Sequence, residues 1–346
     1  MQKKLLKNGK NIFPNNLKIT KKFNIGIIGS GKMAEKYMEV VKSFNHKIYV
    51  IISLSKNPNA KKLAIKYNSK LYFSYEDTQK IKNKVDAWII CSKWEELGYA
   101  LKKFIKYKKP ILIEKSIPMS ANSLSKFFSK NNNNKSKVYF AYNRNYFDYI
   151  FFLISKISTN NSIKYIDARF YDPYSKIIKS KGKPIKKYLT YYITSHWVVF
   201  ILKILNLLNV KILKVEKKKL FTKNKINSTL LMFKLNFKKK NFFLNFLNAP
   251  DVPKNHSIDF YLEKGHIKIS PIEKIAFYKN LKIKKIDSQN VYLPDVKYTK
   301  VDNKYKSGLR SLYFSFIEEY FFNKKSVLKT NQKDLINAYK ICELLN

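Results

Sequence analysis

A chain of 346 residues exceeds what one ordinary core accommodates and suits two domains. Its 45% apolar and 15% aromatic content is ample for packed cores and argues against disorder. The formal charge of +47 rests on 70 basic residues, yet only Arg144, Arg169 and Arg310 are arginines. Readers of phosphates and base edges favour the bidentate guanidinium, so this charge reads as a solvated lysine surface fed by AT-rich codons, with no specific nucleic-acid partner expected.

Cys91 and Cys342 are the only cysteines and have neither metal-like nor disulfide-framework spacing, which suits a reducing cytoplasm; a cytoplasmic location is the expectation. Residues 1–22 form a basic extension broken at Pro14, Asn15 and Asn16, without the apolar core of a signal peptide. The longest apolar run, Trp197 to Leu208, is interrupted by Lys203 and Asn206 and falls short of the ~18 apolar residues of a membrane span, so none is expected.

Phe23 to Ile28 reads as a buried strand leading into a glycine-rich turn, after which Ala34, Met38 and Val41 recur at helical spacing beside Tyr37. Ile48 to Ile52 is a second strand, and Pro58 opens a helix carrying Ala60, Leu63, Ala64 and Tyr67. Short strands are expected at Leu71 to Phe73, Val85 to Cys91, Ile111 to Ile113 and Val138 to Tyr142. Helices fall between them, one with Leu97, Ala100, Leu101 and Phe104 on a face and one around Leu124 to Phe128, closed by a loop at Asn131 to Asn134. Strands alternating with helices imply a parallel sheet with right-handed crossovers.

The rhythm changes near residue 145. Ile163 to Tyr171, Leu230 to Phe237, Asn241 to Leu247 and Ser257 to Leu262 read as strands joined by polar turns, which suits an antiparallel sheet. A helix with the stripe Trp197, Phe200, Ile201, Ile204 and Leu208 interrupts them. Two more helices close the chain, one with Leu309, Leu312, Tyr313, Phe316 and Tyr320, the other with Leu335, Ala338, Tyr339 and Cys342. The expected fold class is α/β: a Rossmann parallel sheet over 23–145, then a substrate and oligomerisation domain over 146–346 with an open, mostly antiparallel sheet. The last helix is free to pack back on the first domain.

Gly29-x-Gly31-x-x-Ala34 lies between a predicted strand and a predicted helix, the context that gives this motif meaning. The first glycine permits the turn, the second admits backbone to a pyrophosphate, and Ala34 lets helix and strand approach. The helix N-terminus offers free N–H groups to phosphates. Gly29, Ser30, Gly31, Lys32, Met33 and Ala34 are therefore candidate cofactor ligands. An acidic residue that would hold an NAD ribose is expected ~20 residues on. None stands between Glu39 and Glu76; the second strand ends Ser53-Leu54-Ser55-Lys56, hydroxyl-rich and basic, which tilts NAD(P) slightly toward NADP.

Together these residues resemble the glucose–fructose oxidoreductase, inositol dehydrogenase and MocA-like family, and the order of signals matches from about Lys22 to the C-terminus. Val85 to Ile90 is similar to the family's fourth strand, followed by Cys91 and Ser92 as cofactor contacts. Glu114-Lys115-Ser116 stands where the family has Glu-Lys-Pro, Tyr142-Asn143-Arg144 resembles its Asn-Arg stretch, and Ser195-His196 opens the helix that carries its histidine. Asn248-Ala249-Pro250 and Pro271-Ile272-Glu273 resemble stretches of sugar-modifying members. The resemblance implies hydride transfer between nicotinamide and a sugar or polyol carbon, with a surface-polysaccharide precursor as one such substrate. It makes Lys115 and His196 the acid–base pair, Glu114 and Lys115 cofactor contacts, and Asn143, Arg144 and Tyr192 substrate contacts. A homo-oligomer is expected. Placed at a helix N-terminus, His196 would favour its neutral form, as a base needs.

Two departures from the family pattern stand out. Ser116 replaces a proline, which is expected to remove a cis-prone bond that aims the lysine, and Tyr192 occupies a position of aspartate, one turn before His196. They support an alternative reading, a non-catalytic dinucleotide-sensing protein of the same fold. Arg169 reads either as a clamp for an anionic substrate group or as half of a structural ion pair.

Overall fold

Ile25, Ile27 and Ile28 are sealed from solvent on the first strand, β1 (Asn24–Ile28), because neighbours flank it on both sides and helices cover both faces. The computed structural model describes residues 19–131, 138–159, 163–220, 228–286, 289–300 and 304–346. The expected N-terminal extension up to residue 18 and the loop after Asn131 lie outside the described residues.

From β1 the chain passes through α1 (Lys32–Ser43), β2 (Lys47–Ile52), α2 (Pro58–Tyr67), β3 (Lys70–Tyr72), β4 (Ala87–Ile90), α3 (Trp94–Phe104), β5 (Ile111–Ile113), α4 (Ala121–Asn131) and β6 (Val138–Phe140). The strands form one sheet in the order β3-β2-β1-β4-β5-β6, with every neighbouring pair parallel. Local chemistry starts α2 where the sequence reading placed it: Pro58 sits in the first turn, and the Asn57 side chain accepts from the Ala60 N–H at 2.9 Å. Strand order reverses direction between β1 and β4, and this switch point opens a crevice at the carboxyl ends of those strands.

The second sheet takes β7 (Ile163–Phe170), β8 (Lys211–Leu220), β9 (Ser228–Phe237), β10 (Lys240–Asn248), β11 (Ser257–Leu262), β12 (Gly265–Ile269), β13 (Lys274–Ile286) and β14 (Gln289–Lys300) in the order β14-β13-β12-β11-β7-β10-β9-β8. All pairs are antiparallel except β7 with β10, so those two strands end side by side. Alternation on β10 explains one covered face: Phe242, Leu244 and Phe246 are buried while Phe243 between them is 53% exposed. Helices α5 (Ile150–Thr159), α6 (Tyr174–Lys181) and α7 (Ser195–Leu207) belong with this sheet. On α7, Trp197 stacks on Phe170 of β7 with ring centroids 4.8 Å apart. Strands β8, β12, β13 and β14 and helices α5 and α6 go beyond the elements expected from the sequence.

Helices α8 (Leu309–Phe321) and α9 (Gln332–Leu345) close the chain. The described residues divide into two compact units. The first takes the chain up to Tyr146 together with 304–343; the second takes 147–300 and the last three residues. The sequence reading gave 146–346 to one domain and left only the last helix free to pack back on the first; nearly all of α9 does group with the parallel sheet, and α8 joins it there as well. The reason is their aromatic stripe: Phe321 meets Phe23 at 4.1 Å between centroids, Phe314 stacks on Phe44, and Phe316 packs edge-on to Tyr139 of β6. Among the described residues no helix is long and apolar enough to cross a membrane, and no cluster of histidine, cysteine and acidic side chains could hold a metal ion.

A buried histidine ties α8 to the sheet. His46, in the turn before β2, lies with its Nδ1 2.6 Å from the Tyr313 hydroxyl. Burial lowers its pKa from 6.5 to about 4. The unfolded chain takes up this proton below pH 6.5, whereas the folded protein resists it until about 4. The contribution to stability is therefore intact above pH 6.5 and lost as the pH falls toward 4, by up to about 3 kcal/mol. Urea unfolding followed across this range is expected to show that slope, and a His46→Gln variant to flatten it.

Candidate functional site

The carboxyl ends of β1, β2, β4 and β5 gather most of the residues singled out in the sequence. Gly29 holds φ at +121°, and a Cβ there would lie 2.5 Å from the carbonyl oxygen of Cys91, just past β4. Its glycine is required both by conformation and by this close approach. A Cβ at Gly31 would meet nothing within 4 Å. Gly31 caps α1 without any side-chain hydrogen bond, so the first N–H groups of the helix face that open space. Ala34 is fully buried, as close packing of α1 demands. Lys32 is exposed and Met33 half-buried, with Lys306 Nζ 2.9 Å from the Met33 sulfur.

Beside the loop, a hydroxyl and amide cluster closes the end of β2. Ser30 and Ser53, both buried, share a hydrogen bond of 2.8 Å, and the Ser53 hydroxyl also reaches the Ser55 carbonyl at 2.8 Å. Asn57 Nδ2 donates to the hydroxyls of Ser30 and Ser55 at 3.1 and 2.7 Å, and Asn59 Nδ2 donates to the Ser30 carbonyl at 2.6 Å. Sequence reading named the serines but missed Asn57 and Asn59; the cap signal before Pro58 was the available clue. Leu54, Ser55 and Lys56 are exposed, and no carboxylate enters the cluster. An open space above Gly31, an uncapped helix start and this polar rim fit a dinucleotide.

Glu114 follows β5, half-buried, with its backbone N–H donating to the Ile90 carbonyl at 2.7 Å. Its carboxyl accepts the Tyr37 hydroxyl at 2.7 Å across from α1. Cys91 is buried, and burial followed by the nearby Glu114 charge pushes its thiol up, so it stays protonated. Lys115 is half-buried next to Glu114, and the Lys115–Ser116 peptide bond is cis. The expectation that losing the proline would lose this bond geometry is therefore corrected. Ser116 and Ile117 are buried, and the Ile117 carbonyl accepts the Tyr339 hydroxyl at 3.2 Å. Asn143 and Arg144 follow β6, half-buried; the Asn143 amide donates to the Ser307 carbonyl at 2.8 Å.

Tyr192 and His196 belong to the second unit. His196 is buried at the start of α7, but Thr190–Thr194 before it form a π-helical turn, and Thr194 already has helical φ and ψ. The helix-terminus argument for a neutral His196 is thus corrected: the helical backbone runs on through this position, so no unsatisfied N-terminus faces the ring. What organises the turn is Asp172, which the sequence reading passed over. Its fully buried carboxylate accepts from Thr194 Oγ1 at 2.6 Å and from Trp197 Nε1 at 3.1 Å, one anchor on each side of His196. Thr194 spends its hydrogen on Asp172, so the Tyr174 hydroxyl donates to Thr194 at 2.7 Å, and Asn248 Nδ2 donates to Tyr174 at 3.0 Å. That order turns Asn248 Oδ1 away, a buried acceptor with no donor among the described residues. His256 accepts the Tyr171 N–H at 3.0 Å and holds its other ring nitrogen 3.9 Å from Asp172. Arg169 pairs with Asp167 at 2.6 Å on the open face of β7, an ion pair within one strand.

A family model described as an oxidoreductase family with an NAD-binding Rossmann fold matches residues 23–142. No curated protein matches the chain. Among solved structures the fold is similar to that of UDP-N-acetylglucosamine 3-dehydrogenase from Acidithiobacillus ferrooxidans, at 10% identity over 94% of this chain and 97% of that one, with a TM-score of 0.67. It is similar to a myo-inositol dehydrogenase from Corynebacterium glutamicum at 14% identity, 93% and 95% coverage and a TM-score of 0.66. A dehydrogenase from Clostridium difficile matches at 15% identity, 93% and 98% coverage and a TM-score of 0.67. At these identities the likeness is one of fold.

Removing the buried acceptor at the centre of the second unit strands two donors in apolar surroundings. Asp172→Ala is expected to lower the free energy of unfolding by about 3 kcal/mol in urea titrations. Asp251→Ala, at an exposed carboxylate that accepts from Ser175, is expected to cost about 1 kcal/mol or less.

Proposed function

We propose, from the premise that this chain belongs to the glucose–fructose oxidoreductase, inositol dehydrogenase and MocA-like family of NAD-binding oxidoreductases, that its substrate is a sugar or polyol. The chain is a nicotinamide-dependent dehydrogenase or reductase. The observation that carries the cofactor reading is the loop at Gly29 to Ala34, whose uncapped helix start faces open space at the switch point. NADP is the preferred form in this reading. Support comes from the end of β2, where Ser53, Ser55, Asn57 and exposed Lys56 stand in place of a carboxylate that would repel a 2′-phosphate.

The bound nicotinamide supplies a hydride acceptor or donor. Oxidation of a carbinol also requires that the hydroxyl proton leave, which is the work of the protein. Lys115 holds its ammonium beside the reacting oxygen and stabilises developing alkoxide charge; His196 takes the proton, and both steps reverse for reduction. The turn anchored by Asp172 supports an ordered His196, and the Asn248 acceptor suits a hydroxyl-rich substrate. Asn143, Arg144 and Tyr192 complete the substrate contacts in this reading. A nucleotide-sugar precursor of a surface polysaccharide is the favoured substrate. The enzyme self-associates through apolar surface such as Phe243, Tyr261 and Tyr298 on the second sheet.

Calorimetric titration at physiological salt is expected to show saturable binding of NADPH, tighter than NADH, and Gly31→Val to abolish both. With UDP-N-acetylglucosamine and myo-inositol as first substrate probes, Lys115→Ala and His196→Ala should each lower kcat by at least ~100-fold and leave cofactor affinity within about twofold. Failure of the wild-type protein to bind either dinucleotide would remove the cofactor reading.

A further inference from the structure

A hydrogen bond links the helix that starts at the phosphate loop to the segment that carries Lys115. Tyr37, one and a half turns into α1, is wholly buried, and its hydroxyl donates to Glu114 Oε1 at 2.7 Å. Burial first and the Glu114 charge second push the phenol well above its ordinary value, so it remains a donor at any working pH. The other carboxyl oxygen, Oε2, has no hydrogen bond among the described residues and belongs to a half-buried side chain. One oxygen is thus tied down from behind and one is left to accept.

The position of that free oxygen follows from strand order. The sheet runs β3-β2-β1-β4-β5-β6, with the phosphate loop after β1 and the Ser53 cluster after β2. A dinucleotide whose pyrophosphate lies on α1 and whose adenosine lies toward β2 extends its other half over β4 and β5. Glu114 is the first residue past β5. We propose that Tyr37 is a positioning residue: it holds Glu114 so that Oε2 accepts a hydroxyl of the nicotinamide-side ribose. Anchoring of the phosphates by α1 and placement of the nicotinamide beside Lys115 are then set by one rigid contact. The proposal rests on the cofactor reading above.

The test compares wild type, Tyr37→Phe, Glu114→Gln and the double variant by calorimetric titration. NADPH and NADH are the full ligands; adenosine 2′,5′-bisphosphate and ADP lack the nicotinamide nucleoside. Tyr37→Phe keeps the buried ring and removes only the donor, and is expected to weaken the full dinucleotide roughly tenfold while changing the fragments by about twofold or less. Glu114→Gln should show the same selectivity, and the double variant should be little weaker than the worse single one, the signature of a shared contact. Should Tyr37→Phe fail to fold, Glu114→Gln carries the comparison alone. Equal weakening of dinucleotide and fragments would place the effect in α1 packing and overturn the proposal, as would wild-type affinity in both single variants. A wild-type protein that binds neither dinucleotide would overturn the cofactor reading and this proposal with it.

Discussion

A side chain at Gly29 would collide with the Cys91 carbonyl, so the crevice between β1 and β4 exists only because that residue has none. The consequences run outward from there. With Gly29 in place, its N–H continues the ladder to the Ile52 carbonyl of β2, and the Cys91 N–H reaches the Ile28 carbonyl from the other side. The three strand ends are brought level, α1 starts over them, and Ala34 and Tyr37 are driven into the packing beneath. A helix start without a side-chain cap is a local cost. Here it leaves the first N–H groups of α1 without a side-chain acceptor, at the place where the proposed dinucleotide would supply one.

The second unit is organised around a buried charge. Asp172 sits past the end of β7, the strand whose parallel pairing with β10 brings two carboxyl ends together in an otherwise antiparallel sheet. Its carboxylate orders a one-way series of donors through Thr194, Tyr174 and Asn248 and fixes Trp197 from the other side. Such a network is stable only if its members are satisfied, and the one buried acceptor left over, Asn248 Oδ1, lies at its end. The π-helical turn before α7 is part of the same arrangement, since it brings Thr194 to the carboxylate while His196 stands two residues beyond.

Charge is used unevenly in this molecule. Of 93 ionisable acids and strong bases only 23 are acidic, the 70 basic ones being nearly all lysines. Exposed pairs such as Lys36 with Glu39 add little to stability. The acids that matter are few and placed at backbone or network positions: Asp86 accepts the Asn24 N–H at the start of β1, Glu114 takes the Tyr37 hydroxyl, and Asp172 anchors the second unit. The lysine surface is largely independent of the fold.

The parallel sheet was legible in the chain because both its period and its punctuation are local. Apolar runs such as Ile25 to Ile28 and Ile111 to Ile113, the Gly29 turn, and Asn57-Pro58 all act within a few residues. Strands β13 and β14 were not legible, since past the buried Ile275 to Phe277 their apolar residues Leu281, Ile283 and Tyr292 are exposed and the segment is rich in lysine. Candidate residues near the phosphate loop followed from a motif with a mechanism. The residue order alone thus specifies the Rossmann half, the glycine turn between its first strand and helix, and the absence of an acid after β2, because these depend on neighbours along the chain. The folded chain alone settles that Tyr37 meets Glu114 from 77 positions away and that Asp172 anchors the turn before His196. Those depend on which distant side chains share one dry space, and no local pattern encodes that.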